Sequence, residues 1–165
     1  MPKTLRRYFL KEKQATQLLL EFSQQLKKNP KQLFEAKTRV ESVETQVGQI
    51  LLIDGKPQLA AYEETLLPTL LSEEILNHLP KIVVNMGAVP HICNGADLMA
   101  PGVVQIEGRF QADDFLLIVD ERHHKPLAIG KALFSSEDTE NLKRGRIAKN
   151  LHYVGDKLWK LLQQF

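Results

Sequence analysis

Between residues 11 and 28 the apolar positions recur at helical spacing. Ala15, Leu18, Leu19, Phe22 and Leu26 fall on one stripe, the mark of an amphipathic helix. Asn29-Pro30 predicts its end, because the residue before proline is pushed out of the right-handed helical region. A short helical segment is expected over 31–36. Upstream, RRYFL at 6–10 reads as a strand. Downstream the pattern turns strand-like around 39–44, 47–53 and 58–64, and Asp54-Gly55 between the last two is a strong hairpin signal. Pro57 weakens the returning strand or places it on an edge. Ser72 followed by Glu73 and Glu74 predicts a helix with serine as N-cap and acids in its first turn, running to about Leu79 and stopping at Pro80.

From residue 81 the pattern changes. Lys81-Ile82-Val83-Val84 predicts a strand, and Pro90 to Gly95 a short helix with proline near its start and glycine near its end. Strands follow at about 103–107, 115–119 and 127–134, with Arg122 to Lys125 as the loop between the last two. A short helix is expected from Glu137 to Leu142 after the cap Ser136, then a strand from Ile147 to Tyr153. A terminal helical stretch from Asp156 to Phe165 follows, with Leu158, Leu161, Leu162 and Phe165 inward. Many short strands separated by turn signals point to a small barrel. The expected organisation is an α+β chain, with one domain over 1–80 and a second over 81–165.

Composition narrows the function classes. The chain has 165 residues, is 43% hydrophobic and 25% charged, and carries a net charge of only +2. The residues up to Pro80 contain 11 basic and 10 acidic side chains, and the remainder the same numbers. Any nucleic-acid footprint must therefore be local. The single cysteine, Cys93, excludes an intrachain disulfide and reads as a buried structural thiol. The N-terminus MPKTLRRYFLKEKQ lacks the apolar core of a signal peptide. Apolar runs such as FLLIV at 115–119 are far shorter than the roughly 18 residues of a membrane span. The expectation is a soluble protein of the cytoplasm, with no membrane role.

The segment Asn85 to Val103 holds three glycines, two prolines and no lysine or arginine in a mostly apolar stretch. Such a composition suits a place where main chain approaches a ligand, since glycine has no Cβ and proline fixes φ. Its spacing fits neither a dinucleotide fingerprint nor a P-loop, so no nucleotide cofactor or other small-molecule substrate is expected.

Three separated blocks carry a resemblance: GAVPHICNGADLMAPGV at 87–103, PLAIGKALFSSED at 126–138 and NLHYVGDKLWKL at 150–161. In this order they resemble the PUA domain, an RNA-binding module named for pseudouridine synthases and archaeosine transglycosylases. The last block is similar, more narrowly, to the archaeal two-domain PUA proteins and their eukaryotic relative, the malignant T-cell-amplified translation factor. The N-terminal pattern resembles that group's pre-PUA domain. The resemblance implies a small pre-PUA-like α/β domain followed by a pseudobarrel of about six strands with short helices. It also implies RNA contact at Gly87, Ala88 and Val89 and at the turns Gly95-Ala96-Asp97 and Pro101-Gly102. A protein partner carrying a translation-initiation-type domain is implied as well. Two departures stand out. Relatives often carry Asp-Lys where this chain has Asn85-Met86, which removes a lysine from phosphate contact. They often carry Gly-Asp where it has Asp113-Asp114, a change expected to affect only the turn.

The residues themselves offer two readings of the glycine-rich segment. Gly87, Gly95 and Gly102 could serve tight packing alone, or they could shape a pocket offering main-chain N–H and C=O groups to a splayed base or terminal ribose. In the second reading Leu98 and Met99 supply apolar cover, and His91 touches RNA or caps the helix. Lys143, Arg144, Arg146 and Lys149 place four cations within seven residues around Gly145. Alone they read as a solvated face; beside a PUA pattern they suit phosphate contact with counterion release. Lys131 and Arg109 are further candidates. His123 and His124 with Asp120 and Glu121 lack metal-ligand spacing, and His152 suits a turn-pinning hydrogen bond. No nucleophile has a base and an orienter beside it. The expected function is a non-catalytic RNA-binding protein of the translation apparatus, binding tRNA or small-subunit rRNA. The alternatives are an RNA-presenting accessory to a separate modification enzyme, and a protein–protein adaptor that has lost RNA affinity.

Overall fold

The helical stripe of residues 11–28 folds as α1 (Glu12–Gln25), with Ala15, Leu19 and Phe22 buried. The helix stops earlier than Asn29-Pro30 predicts, because Leu26 caps it and Lys27 turns left-handed at φ 57°; Asn29-Pro30 starts the next helix. The Asn29 side chain accepts from Lys31 N at 3.0 Å, and Pro30 opens the single turn α2 (Pro30–Leu33). The computed structural model describes residues 4–35 and 37–165, so the expected end of that segment at Ala36 lies outside the described residues. The chain forms two compact units. One runs to Asn77 and takes in Lys160–Phe165; the other is His78–Trp159.

The first unit is built on an antiparallel five-stranded sheet in sequence order: β1 (Thr4–Phe9), β2 (Val40–Thr45), β3 (Gln49–Ile53), β4 (Lys56–Tyr62) and β5 (Thr65–Pro68). Arg7 grips Glu41 across β1 and β2 with two bonds, at 2.8 and 3.0 Å. Asp54 and Gly55 take φ of 51° and 83° and close the β3–β4 hairpin, as a two-residue turn of matching twist requires. Pro57 is not on an edge. β4 pairs with both β3 and β5, and Pro57 sits opposite Leu52 where the register slips, a bulge that absorbs the missing N–H. The pattern missed β5 because its turn is Glu63-Glu64, two non-glycine residues at φ 48° and 66°. α3 (Glu73–Leu76) is shorter than expected, and Ser72 donates its hydroxyl to Thr69 O at 2.6 Å instead of capping.

The second unit is a six-stranded sheet that curls into a pseudobarrel. Its strands are β6 (Lys81–Val84), β7 (Leu98–Met99), β8 (Val103–Glu107), β9 (Phe115–Asp120), β10 (Pro126–Ala132) and β11 (Arg146–Tyr153), in the order β7-β11-β10-β9-β6-β8. β6 and β9 are parallel, and the other pairs run antiparallel. α4 (Val89–Ile92) and a 3-10 turn at Ala100–Gly102 flank β7; α5 (Ser136–Asn141) precedes β11 and α6 (Lys157–Leu162) follows it. Ile82, Val84, Ile92, Leu98, Leu116, Ile118, Ala128 and Ile147 form the core. Ser135, one residue before the expected cap, accepts from Asp138 N and starts α5. Asp113 stands at φ 75°, a left-handed position where glycine is the unstrained choice. His152 is fully buried and bonds Asp156 at 2.9 Å, and Asp156 also accepts from Tyr153 N and Trp159 N.

Asp120 closes the β9–β10 connection. Its buried carboxylate accepts the backbone N–H groups of Arg122, His123 and Lys125. The hydrogen bond from His123 above all holds its pKa below the ordinary carboxylate value, against the opposing pull of burial. Among the described residues no three His, Cys, Asp or Glu side chains gather to hold a metal ion, and no helix is long and apolar enough to cross a membrane.

Both turns bear on stability in a measurable way. Replacing Glu63-Glu64 with Asn-Gly should raise unfolding stability by about 1 kcal/mol, by relief of left-handed strain, read by urea titration. Asp120→Ala should lower stability by about 2 kcal/mol near neutral pH. A depressed folded pKa contributes stability above the unfolded value near 4 and loses it as pH falls through the folded value. The gap between wild type and Asp120→Ala should therefore close below about pH 4.

Candidate nucleic-acid interface

Strand β6 runs out at Val84, and the chain must turn back before it can reach β7. Asn85 makes that turn. Its Oδ1 accepts from Ala88 N at 2.9 Å, its Nδ2 donates to Pro101 O at 3.4 Å, and its own N–H donates to Gly102 O at 2.9 Å. One side chain thus ties the 85–88 turn to the 3-10 turn across from it. An aspartate there could accept from Ala88 but could not donate to a carbonyl.

The space these turns enclose is a cleft of about 390 Å³. Asn85, Ala88, His91, Ile92, Ala96, Asp97, Leu98, Met99, Pro101 and Gly102 line it. Ile92 and Leu98 are buried at its floor, while Met99 is 48% exposed. Of the residues singled out from sequence, Ala88, His91, Ala96, Asp97, Met99, Pro101 and Gly102 meet here. Gly87, Val89 and Gly95 do not line the cleft. Gly87 is exposed on the outer turn, where an added Cβ would approach only Asn85 Oδ1. Val89 packs against the barrel core. Gly95 stands at φ 95° after α4, and a Cβ there would come within 3.1 Å of the Tyr153 hydroxyl. Gly102 is small for packing, since a Cβ would lie 3.2 Å from that of Ala88.

The opposite wall hangs on β11. Asn150 Nδ2 donates to Ile92 O and to Ala96 O, both at 3.0 Å, and its N–H donates to Asp97 Oδ1 at 2.8 Å. Asp97 Oδ2 takes Arg146 Nη1 at 3.0 Å. The carboxylate of Asp97, expected to face RNA, is therefore engaged by β11. Asn150 was missed from sequence because a lone asparagine in a strand carries no motif. Among the described residues the buried Asn150 Oδ1 has no hydrogen-bond partner, a cost the two donated bonds offset.

The internal bonds change the expected chemistry. The N–H groups of Ala88, Ala96 and Ala100 and the carbonyls of Ile92, Ala96, Pro101 and Gly102 are all engaged within the protein. What the cleft presents is mainly an apolar surface of Ala88, Ile92, Leu98, Met99 and Pro101. Its ionisable lining is His91 and Asp97, and Arg146 offsets Asp97.

Arg146 stands at one rim, through its bond to Asp97. Arg146 pairs opposite Met99 in the β7–β11 ladder, and Gly145, at φ 93°, accepts Ala100 N at 2.8 Å. Lys143 and Arg144 are exposed in the same turn, and Lys149 is exposed three residues on. Among the described residues none of these three has a carboxylate partner. Lys131 pairs opposite Lys149 and lies 4.0 Å from Asp113. Arg109 is exposed beyond the far end of β8, a strand length of roughly 16 Å from Gly102. The acids Glu137, Asp138 and Glu140 are exposed on α5.

Comparison with known proteins places this geometry. Residues 80–154 match the PUA domain family model. An uncharacterized protein of Methanocaldococcus jannaschii is 35% identical over 93% of this chain and 95% of its own length. Translation machinery-associated protein 20 of Eremothecium gossypii is 33% identical over 58% of this chain, a match that spans 57% of that protein. The crystal structure of a PUA domain from Aeropyrum pernix K1, a tartrate complex, superposes with a TM-score of 0.79 at 28% identity, covering 96% of this chain and 92% of that one.

Asn150→Ala should lower stability by about 2 kcal/mol, because Ala96 O loses its donor and Ile92 O keeps only the bond from Gly95 N. Hydrogen exchange should then accelerate at Ala96 and Asp97, ahead of the strands; unchanged exchange there would remove Asn150 from its role in holding the wall.

Proposed function

Because the chain belongs to the PUA-domain family, we propose that it is a non-catalytic RNA-binding protein of the translation apparatus, acting in the cytoplasm on tRNA or small-subunit rRNA. The observation that carries this reading is the arrangement at the cleft. A rigid apolar hollow of main-chain turns opens beside Arg146 and the exposed Lys143, Arg144 and Lys149. An unstacked base or terminal ribose enters the hollow, and the neighbouring phosphates lie on the cations. Phosphate contacts of this kind set position, while contacts to the base carry selectivity.

The translation context rests on the likeness to translation machinery-associated protein 20. The first unit is given to orientation or to a protein partner with a translation-initiation-type domain. In support, that unit carries its own largely apolar cleft of about 560 Å³, bordered by Phe9, Leu19, Leu20 and Phe34, with Arg39 stacked over Phe9 at 4.2 Å.

The test is fluorescence anisotropy with total tRNA and with isolated small-subunit rRNA across a potassium chloride series. Log affinity should fall linearly with log salt. Reversing Lys143, Arg144 and Lys149 to glutamate should weaken binding to every sequence and lower the salt slope by about one for each phosphate left without its cation. Folding should be kept, since all three side chains are exposed. Absence of binding to either RNA at low salt would overturn the proposal and leave a protein–protein adaptor.

A further inference from the structure

Three exposed large apolar side chains of the second unit border one turn. Met99 is 48% exposed, Leu133 38% and Phe134 39%. Met99 and Ala100 flank the basic turn on its β7 side, through the Met99–Arg146 pairing and the bond from Ala100 N to Gly145 O. Leu133 flanks it on the β10 side, through the bond from Leu133 N to Ile147 O at 3.0 Å. The β10–β11 ladder pairs Lys131 with Lys149 and Ala132 with Ala148, and continuing that register sets Phe134 level with Arg146. Exposed apolar side chains thus stand on both sides of a turn that carries Lys143, Arg144 and Arg146. Two strand spacings, about 10 Å, separate Met99 from Phe134.

Neither the barrel core nor the cleft explains an exposed phenylalanine here. Phe134 is absent from the core cluster and from the residues lining the cleft. Its setting is cationic on the β11 side and acidic on the α5 side, where Glu137, Asp138 and Glu140 stand. A polyanion that reaches Phe134 must therefore come across the 143–146 turn. That path leads directly from the cleft.

We infer that Phe134 is a stacking platform for single-stranded RNA: a strand whose end occupies the cleft crosses the 143–146 turn and lays a base on the Phe134 ring. This rests on the RNA-binding reading of the cleft and names its substrate class as RNA with an unpaired extension. An aromatic face accepts any base and adds affinity without sequence preference, while the guanidiniums of Arg144 and Arg146 hold the phosphates between the two contacts. Duplex RNA cannot make the second contact, because its bases stay stacked on each other.

The experiment measures affinity for one RNA hairpin, blunt and with a short single-stranded extension at its 5′ or its 3′ end, for wild type and for Phe134→Ala, Phe134→Leu and Phe134→Trp. Wild type should favour an extended form by roughly tenfold, the size of one base–aromatic stack. That preference should collapse toward one in Phe134→Ala and in Phe134→Leu, which keeps apolar bulk without a ring, and return in Phe134→Trp. Thermal melting checks that all three variants fold. A preference unchanged in Phe134→Ala, or no preference in wild type, overturns the platform while leaving RNA binding by the cleft in place. Failure of wild type to bind either form at low salt overturns the RNA-binding reading itself, and the platform with it.

Discussion

Two asparagine amides hold the cleft together. The chain between β6 and β8 contains only one turn of α-helix, a two-residue strand and one 3-10 turn, none of which could persist alone. Asn85 spans it from one side and Asn150 from the other. An amide suits both places because it can donate to carbonyls, and at Asn85 its oxygen accepts as well. Carbonyls turned toward each other across a gap need a donor between them, and a carboxylate has none. Asn85, which begins the Asn85-Met86 departure noted in the sequence, is the position that bridges the lips.

Committing the main chain to the walls decides what the hollow can recognise. Most of its main-chain polar groups are bonded within the protein, so the surface left for a ligand is chiefly apolar. In the proposed reading, affinity then comes from the cations at the rim, and selectivity from shape and stacking. This division matches the charge balance of the chain: a net charge of +2 spread over two balanced halves supplies no long-range attraction, so a handful of clustered cations has to supply it locally.

Much of this was legible in the sequence, for identifiable reasons. Lys81–Val84, Phe115–Asp120 and the strand ending at Tyr153 are apolar runs whose burial leaves little choice of structure. Asp54-Gly55 announces its hairpin by side-chain chemistry. β5 was invisible because Glu63-Glu64 adopts left-handed conformations that nothing in two glutamates signals, and β7 because two residues set no period. The candidate site divides the same way. Gly95 and Gly102 were found from composition, but for reasons of packing: one avoids Tyr153, the other Ala88. Val89 was drawn into the site by its place in a motif, yet its side chain belongs to the core. Asn150 lies 53 residues from its partner Asp97, and no local pattern encodes such a pairing.

β11 carries both parts of the interface. Arg146 begins the strand and reaches Asp97; Asn150, four residues on, holds the carbonyls of Ile92 and Ala96. Between them Ile147 and Ala148 are buried in the barrel core. The strand therefore cannot shift without moving the cations, the cleft wall and the core together. A pocket on a mobile loop would have to order itself on binding and would bind more weakly for it. Here the ordering is already complete in the fold, because a strand buried in the barrel sheet is also the strand that shapes the hollow. The short helix α4, too brief to hold its own geometry, borrows rigidity from that strand through a single amide.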